Sequence, residues 1–132
     1  DVNVKGALYS VRAVLPHLLR SDGADIVTIA SEAGRRGLPL EATYCASKFG
    51  VVGFTRALAA ELAGRVGVTL LIPGGMRTAF FDGRAEQYRP GPDADLSDPD
   101  DVAQVVLDVL RQPVGCEIRE LVVASSTEPS WP

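Results

Sequence analysis

Apolar residues recur at Val4, Leu8, Val11, Val14/Leu15 and Leu18/Leu19. That spacing lines one side of a helix over about five turns. Pro16 falls inside the run and predicts a kink; Ser21, Asp22 and Gly23 end it. Asp25-Ile26-Val27-Thr28-Ile29-Ala30 follows. It is β-branched and apolar on both faces, the pattern of a buried parallel strand. Residues 31–40 form a polar loop with glycine and proline. A long helix is predicted over residues 41–63, with Phe49, Val52, Leu58 and Leu62 on its apolar surface and Gly64 as its stop. Residues 66–72 are a second buried strand, broken at once by Pro73, Gly74 and Gly75. Residues 76–96 are a loop punctuated by Gly83, Pro90, Gly91 and Pro92. A third helix starts where Ser97 or Asp98 can cap, Pro99 suits the first turn, and Asp100 and Asp101 suit the positive helix end. It turns Val102, Val105, Val106, Val109 and Leu110 inward and stops before Pro113. Residues 121–124 are a third strand, and a polar tail ends at Trp131 and Pro132.

Helices and strands thus alternate three times. Alternation of this kind predicts an α/β fold: a parallel sheet with right-handed crossovers and helices on its faces. With 132 residues there is room for one domain at most. The chain opens at Asp1 with no initiator methionine and its first residues already read as helix interior, so a piece of a longer protein is expected. An apolar share of 46% and a charged share of 23% are those of a globular chain and argue against disorder. The net charge of -4 argues against binding to a phosphate backbone. No apolar run approaches the roughly 20 residues that span a bilayer, and no basic-then-apolar leader is present. Cys45 and Cys116 are too few for a disulfide scaffold and lack metal-ligand spacing. A cytoplasmic protein without a metal is therefore expected. The single His17 excludes sites that need several histidines.

The chemistry concentrates on three residues. Ser31 follows the end of the first strand, where ligands bind in open α/β sheets. Tyr44 and Lys48 are four apart and share one helix face. A free tyrosine, with a pKa of about 10, is a poor base at neutral pH. A nearby ammonium favours the phenolate, which makes proton transfer to or from an oxygen feasible. Ser31 can donate a hydrogen bond to the same oxygen. Taken singly, Tyr and Lys four apart usually mean a surface pair, and a serine after a strand is usually a turn residue. His17 reads as a surface residue, Cys45 as small core packing and Cys116 as a loop thiol. Arg35 and Arg36 read as solvated charges that might otherwise meet a substrate anion or a 2′-phosphate.

The stretch from Ile26-Val27-Thr28-Ile29-Ala30-Ser31-Glu32-Ala33-Gly34 to Tyr44-Cys45-Ala46-Ser47-Lys48 resembles the short-chain dehydrogenase/reductase family. The serine stands thirteen before the tyrosine and the lysine four after it, as in that family. Asn3, the run Leu15-Pro16-His17-Leu18, and Pro73-Gly74 followed by Thr78 match further family segments. The resemblance implies that residues 1–132 are the carboxyl-terminal half of a single Rossmann-type domain. It implies hydride transfer between NAD or NADP and a carbonyl or alcohol substrate. Tyr44 would be the general acid/base and Lys48 would lower its pKa and hold the nicotinamide ribose. Ser31 would polarise the substrate carbonyl, and Asn3 would hold a water linking Lys48 to solvent. Pro73, Gly74, Met76 and Thr78 would line the nicotinamide. The loop after Thr78 should cover the substrate: Phe80, Phe81 and Tyr88 could wall it and Arg84 or Arg89 could meet an anion, or equally they are lid packing and surface charge.

The family's Gly-rich turn, which brings a pyrophosphate to a helix amino end, is absent from these residues. So is the residue that would select NAD or NADP. Without the strands that precede it in the family, the strand at Ile26 is expected to expose an open edge, which invites pairing. The resemblance further implies a homodimer or homotetramer built on the first two helices. The competing reading is a non-catalytic truncated homologue that acts as an assembly or binding subunit. A sugar-nucleotide epimerase fits less well, because the segment after Thr78 is short.

Overall fold

The computed structural model describes residues 1–128; Trp131 and Pro132 lie outside them. Its helices are α1 (Val2–Leu18), α2 (Ala42–Glu61) and α3 (Pro99–Leu110). Its strands are β1 (Asp25–Ile29), β2 (Gly67–Pro73) and β3 (Glu120–Val123). The strands form one sheet in the order β1-β2-β3. Both pairs are parallel, with Ile26 opposite Val68 and Leu71 opposite Leu121. The expected alternation and sheet are present, with element ends moved by one or two residues.

The termini follow local chemistry. α1 runs through Pro16 and stops two residues beyond it. Proline removes one ladder donor and crowds the carbonyl four residues before it, and the helix ends within a turn of Pro16. Gly64 takes φ of +73° just past α2, a left-handed conformation that glycine adopts without a Cβ penalty. At α3 the cap is Asp98, whose carboxylate accepts from the Asp100 N–H at 3.0 Å, with Pro99 in the first turn.

Val68, Leu70 and Ile72 point to one side of β2 and are each about 1% exposed, so this strand is the centre of the core. Beside the strand ends, Val51 and Val52 of α2 pack with Ala30, Leu70 and Ile72. At the other end Leu58, Leu62, Val66 and Val68 gather Val11, Leu15 and Leu18 of α1 with Ile26 of β1. Gly50 lets α1 and α2 approach: a Cβ there would come within 2.9 Å of Val4.

Several expected core positions are not buried. β1 is an edge strand, with Ile29 52% exposed, so it is not the fully buried strand its composition suggests. α1 has no buried residue. Phe49 and Leu110 each keep nearly half their surface. Ala7, Val11 and Val14 of α1 and Ile26 and Thr28 of β1 line an open groove along the outer edge of the sheet.

Candidate active site

The site is built where β1 ends. The ladder continues through Ala30, whose N–H reaches the Leu71 carbonyl at 2.8 Å. Ser31 then leaves in extended backbone and caps a single 3-10 turn, Glu32–Gly34, its Oγ accepting from the Ala33 N–H at 3.2 Å. That turn lies tight against α2. A Cβ on Gly34 would stand 2.8 Å from Val52 Cγ2 and 2.9 Å from the Lys48 carbonyl oxygen. The missing side chain is what lets the serine turn sit beside the lysine turn.

Tyr44 and Lys48 come from the first two turns of α2. With Ser31 they line one side of a cleft of about 280 Å³. Pro73, Gly74, Gly75, Met76 and Thr78, from the end of β2 onward, line it too. Phe80 and Phe81 close its mouth, and the Phe80 ring packs against Tyr44 at a centroid distance of 5.9 Å. The Arg84 guanidinium stacks 3.9 Å from the Phe80 ring centre, a cation–π contact that leaves it on the rim. Arg89 donates to the Arg84 carbonyl at 2.6 Å, and Tyr88 does not line the cleft.

Burial pushes the Tyr44 phenol above its ordinary value, a hydrogen bond with Ser31 pulls it back, and Glu32 and Glu41 add to the rise. Burial also lowers the Lys48 ammonium, against the attraction of Glu32. The resemblance implies that Lys48 pulls the phenol down. Here desolvation outweighs every other influence, and the lowering hydrogen bond comes from Ser31. Lys48 Nζ lies 5.8 Å from the Tyr44 ring centre and donates to the Ile29 carbonyl at 3.4 Å.

Asn3 stands one layer behind. Its Nδ2 donates to Ser47 Oγ at 3.1 Å, and Ser47 donates to the Tyr44 carbonyl at 2.8 Å. Asn3 borders the outer groove and not the cleft. Thr78 uses its Oγ to accept the Phe80 N–H at 3.3 Å. Cys45 is buried, its Sγ accepting from Leu38 N–H at 3.3 Å, as a small core residue. Cys116 is exposed, and His17 lies at the surface with Arg20 3.1 Å away. Arg35 and Arg36 are exposed and outside the cleft lining. Among the described residues no group of three His, Cys, Asp or Glu is placed to hold a metal. Within the same residues, no helix is long and apolar enough to cross a membrane.

Sequence reasoning missed the acidic side chains of the cleft. Glu32 and Glu41 line it, and Glu128 accepts from the Gly75 N–H at 3.1 Å. Glu32 was legible as the neighbour of Ser31; nothing local pointed to Glu128, which arrives from beyond β3.

A cleft at the carboxyl ends of parallel strands, with helices packed on the sheet, defines part of an open Rossmann-type α/β fold. Within that class the chain belongs to the short chain dehydrogenase family, whose model matches residues 1–89. It is 38% identical over 112 residues to rat 17-beta-hydroxysteroid dehydrogenase 13, covering 82% of this chain and 36% of that protein. An uncharacterized oxidoreductase of Staphylococcus aureus is 37% identical over 93% of this chain and 52% of its own. A solved closed form of serine dehydrogenase complexed with NADP+ superposes with a TM-score of 0.80 at 32% identity, over 92% of this chain and 52% of that one. The chain therefore spans about half the length, or less, of these relatives.

Proposed function

We propose that the protein is a nicotinamide-dependent oxidoreductase that interconverts a carbonyl and an alcohol, with Tyr44 as its acid and base. The observation that carries this reading is the convergence of Ser31, Tyr44 and Lys48 on one cleft at the strand ends. The donor set fits the nicotinamide end of such a cofactor. Pro73, Gly74 and Gly75 present a wall of backbone with little side chain to fill the space, flanked by Met76 and Thr78. Those residues would hold the nicotinamide, and Lys48 its ribose. The choice between NAD and NADP is made at the adenosine end, away from this cleft. When bound, the cofactor supplies or accepts the hydride.

The protein's own residues handle the proton. In reduction the Ser31 hydroxyl orients the substrate oxygen and the Tyr44 phenol gives its proton to that oxygen as the hydride reaches carbon. In oxidation Tyr44 takes the alcohol proton. Lys48 stabilises the phenolate so formed, and Asn3 would serve by holding a water that links Lys48 to solvent, since its bond to Ser47 ends on the Tyr44 backbone carbonyl and passes no proton. The raised Tyr44 phenol keeps the acid form at neutral pH, which suits reduction. Alcohol oxidation needs the base form, so its kcat/KM rises with pH across the alkaline range. A rate that falls there in wild type would contradict the assignment.

Tyr44→Phe tests the reading directly. Loss of a positioned acid/base lowers kcat by about 100-fold or more while cofactor affinity stays within a few-fold. Unchanged turnover would reject the role and favour an assembly subunit instead. The substrate is a small molecule. Exposed Val4, Leu8 and Tyr9 on α1 and Phe49 on α2 support a homodimer or homotetramer formed through these helices.

A further inference from the structure

We propose that Glu32 is a positioning residue of this site, which decides where the one hydroxyl proton of Ser31 points. The inference rests on the oxidoreductase reading above and adds a residue to it. A serine hydroxyl has one proton to donate and two lone pairs to accept with. One lone pair is taken by the Ala33 N–H at 3.2 Å. The proton is donated to Glu32 Oε2, also at 3.2 Å. A substrate carbonyl has no proton of its own, so Ser31 can hold it only by donating. The Glu32 carboxylate, the Tyr44 phenol oxygen and the substrate oxygen therefore compete for the same O–H.

Protonation of Glu32 withdraws the carboxylate from that competition. A carboxylic acid carries its own O–H and can donate to Ser31 Oγ. The chain then runs from Glu32 to Ser31 to the substrate oxygen, every bond pointing the same way, and each donor strengthens the next. Ionised Glu32 reverses the first link and holds the serine proton back. The surroundings move this change upward from the ordinary carboxylate value. Glu32 is half-buried at the cleft wall, and burial, Glu41 and Glu128 all push its carboxyl upward, against hydrogen bonds from its own backbone and from Ser31. The remaining groups that face it are Tyr44, with which the interaction is repulsive to the phenolate, and Lys48, which it attracts. Lys48 Nζ donates to the Ile29 carbonyl.

Carbonyl reduction is then fastest with Glu32 protonated, and its kcat/KM falls as pH rises through the Glu32 titration. One hydrogen bond of ordinary strength sets the fall at about tenfold. Glu32→Gln carries a permanent amide donor and removes the fall while keeping the acidic-side rate. Ser31→Ala removes it as well, at a lower rate throughout. The same fall in Glu32→Gln as in wild type would overturn the proposal. A second readout needs no turnover: carbon-13 NMR of the glutamate carboxyls in the full protein. The resonance lost in Glu32→Gln titrates above the others, and in Ser31→Ala it moves higher still, because the hydrogen bond that favours the carboxylate is gone. A Glu32 titration indifferent to Ser31→Ala would overturn the link whatever the activity. A link present by NMR in a protein whose Tyr44→Phe variant is unimpaired would instead remove the oxidoreductase reading beneath it.

Discussion

At the scale of single residues, the site depends on what Gly34 lacks. Its would-be Cβ falls 2.8 Å from Val52 and 2.9 Å from the Lys48 backbone. The second contact is with backbone that cannot swing aside, so Gly34→Ala must push the serine turn and α2 apart. Overpacking of this kind costs about 1–3 kcal/mol, read by urea unfolding, with a larger proportional loss in kcat because Ser31 and Lys48 separate. Gly53, on the exposed side of the same helix, has nothing within 4 Å. Gly53→Ala gains about 1 kcal/mol from helix propensity alone. If the two substitutions have equal effects, close approach is not what selects glycine at residue 34. Glu32 gives a second contrast. Its folded-state carboxyl is raised, so the folded protein holds that proton more tightly than the unfolded chain does. The stability it contributes is present below the ordinary carboxylate value and is lost as pH rises through the folded value. Glu32→Gln therefore raises Tm relative to wild type at pH 7, and the gain disappears by about pH 4; thermal melts at the two pH values check the sign.

At the scale of elements, α2 delivers two functional side chains and packs Val51, Val52, Thr55 and Leu58 into the core, and it was the most legible part of the sequence. Its spacing set Tyr44 and Lys48 on one face, and Gly64 marked its end. Ser31 was legible for the same reason, as the residue after a β-branched strand. The inward face was less legible. Of the residues read on its apolar surface, Val52, Leu58 and Leu62 are buried and Phe49 is not, while Val51 and Thr55 are buried without having been named. A helix with apolar residues on several sides does not reveal which side meets the sheet. Pairs formed far apart in the chain were also invisible, among them Glu128 with Gly75 N–H and Arg56 with Glu120. Arg56 reaches Glu120 with two bonds, at 2.7 and 3.1 Å, tying α2 to β3. Both side chains are about half-exposed, so solvent screening keeps the pair to about 1 kcal/mol or less. Arg56→Ala should cost no more than that in low salt and still less in 1 M salt. A larger, salt-independent loss would mean that the arginine stem, not the charge, does the fastening.

At the scale of the whole molecule, the fold is asymmetric. β2 is paired on both sides and buried, whereas β1 is paired on one side only among the described residues. Its outer edge carries unpaired backbone donors and acceptors, and beside it the α1 groove shows Val11, Val14 and Ile26. An open edge flanked by apolar surface is a template for another strand. Two routes to association are thus available, and they are distinguishable. Edge pairing runs through β1, and helix pairing through the exposed apolar residues of α1 and α2. Ile26 joins the α1-side core, so Val27, its neighbour in an alternating strand, points to the opposite face. Val27→Lys places a charge on the edge strand without entering that core. Phe49→Glu does the same for α2, where the ring is 46% exposed. Sedimentation velocity of the 132-residue chain across a concentration series should show self-association in wild type. Edge pairing predicts that Val27→Lys shifts the chain toward monomer and Phe49→Glu does not; helix pairing predicts the reverse. A wild-type chain that stays monomeric across the series would overturn both routes.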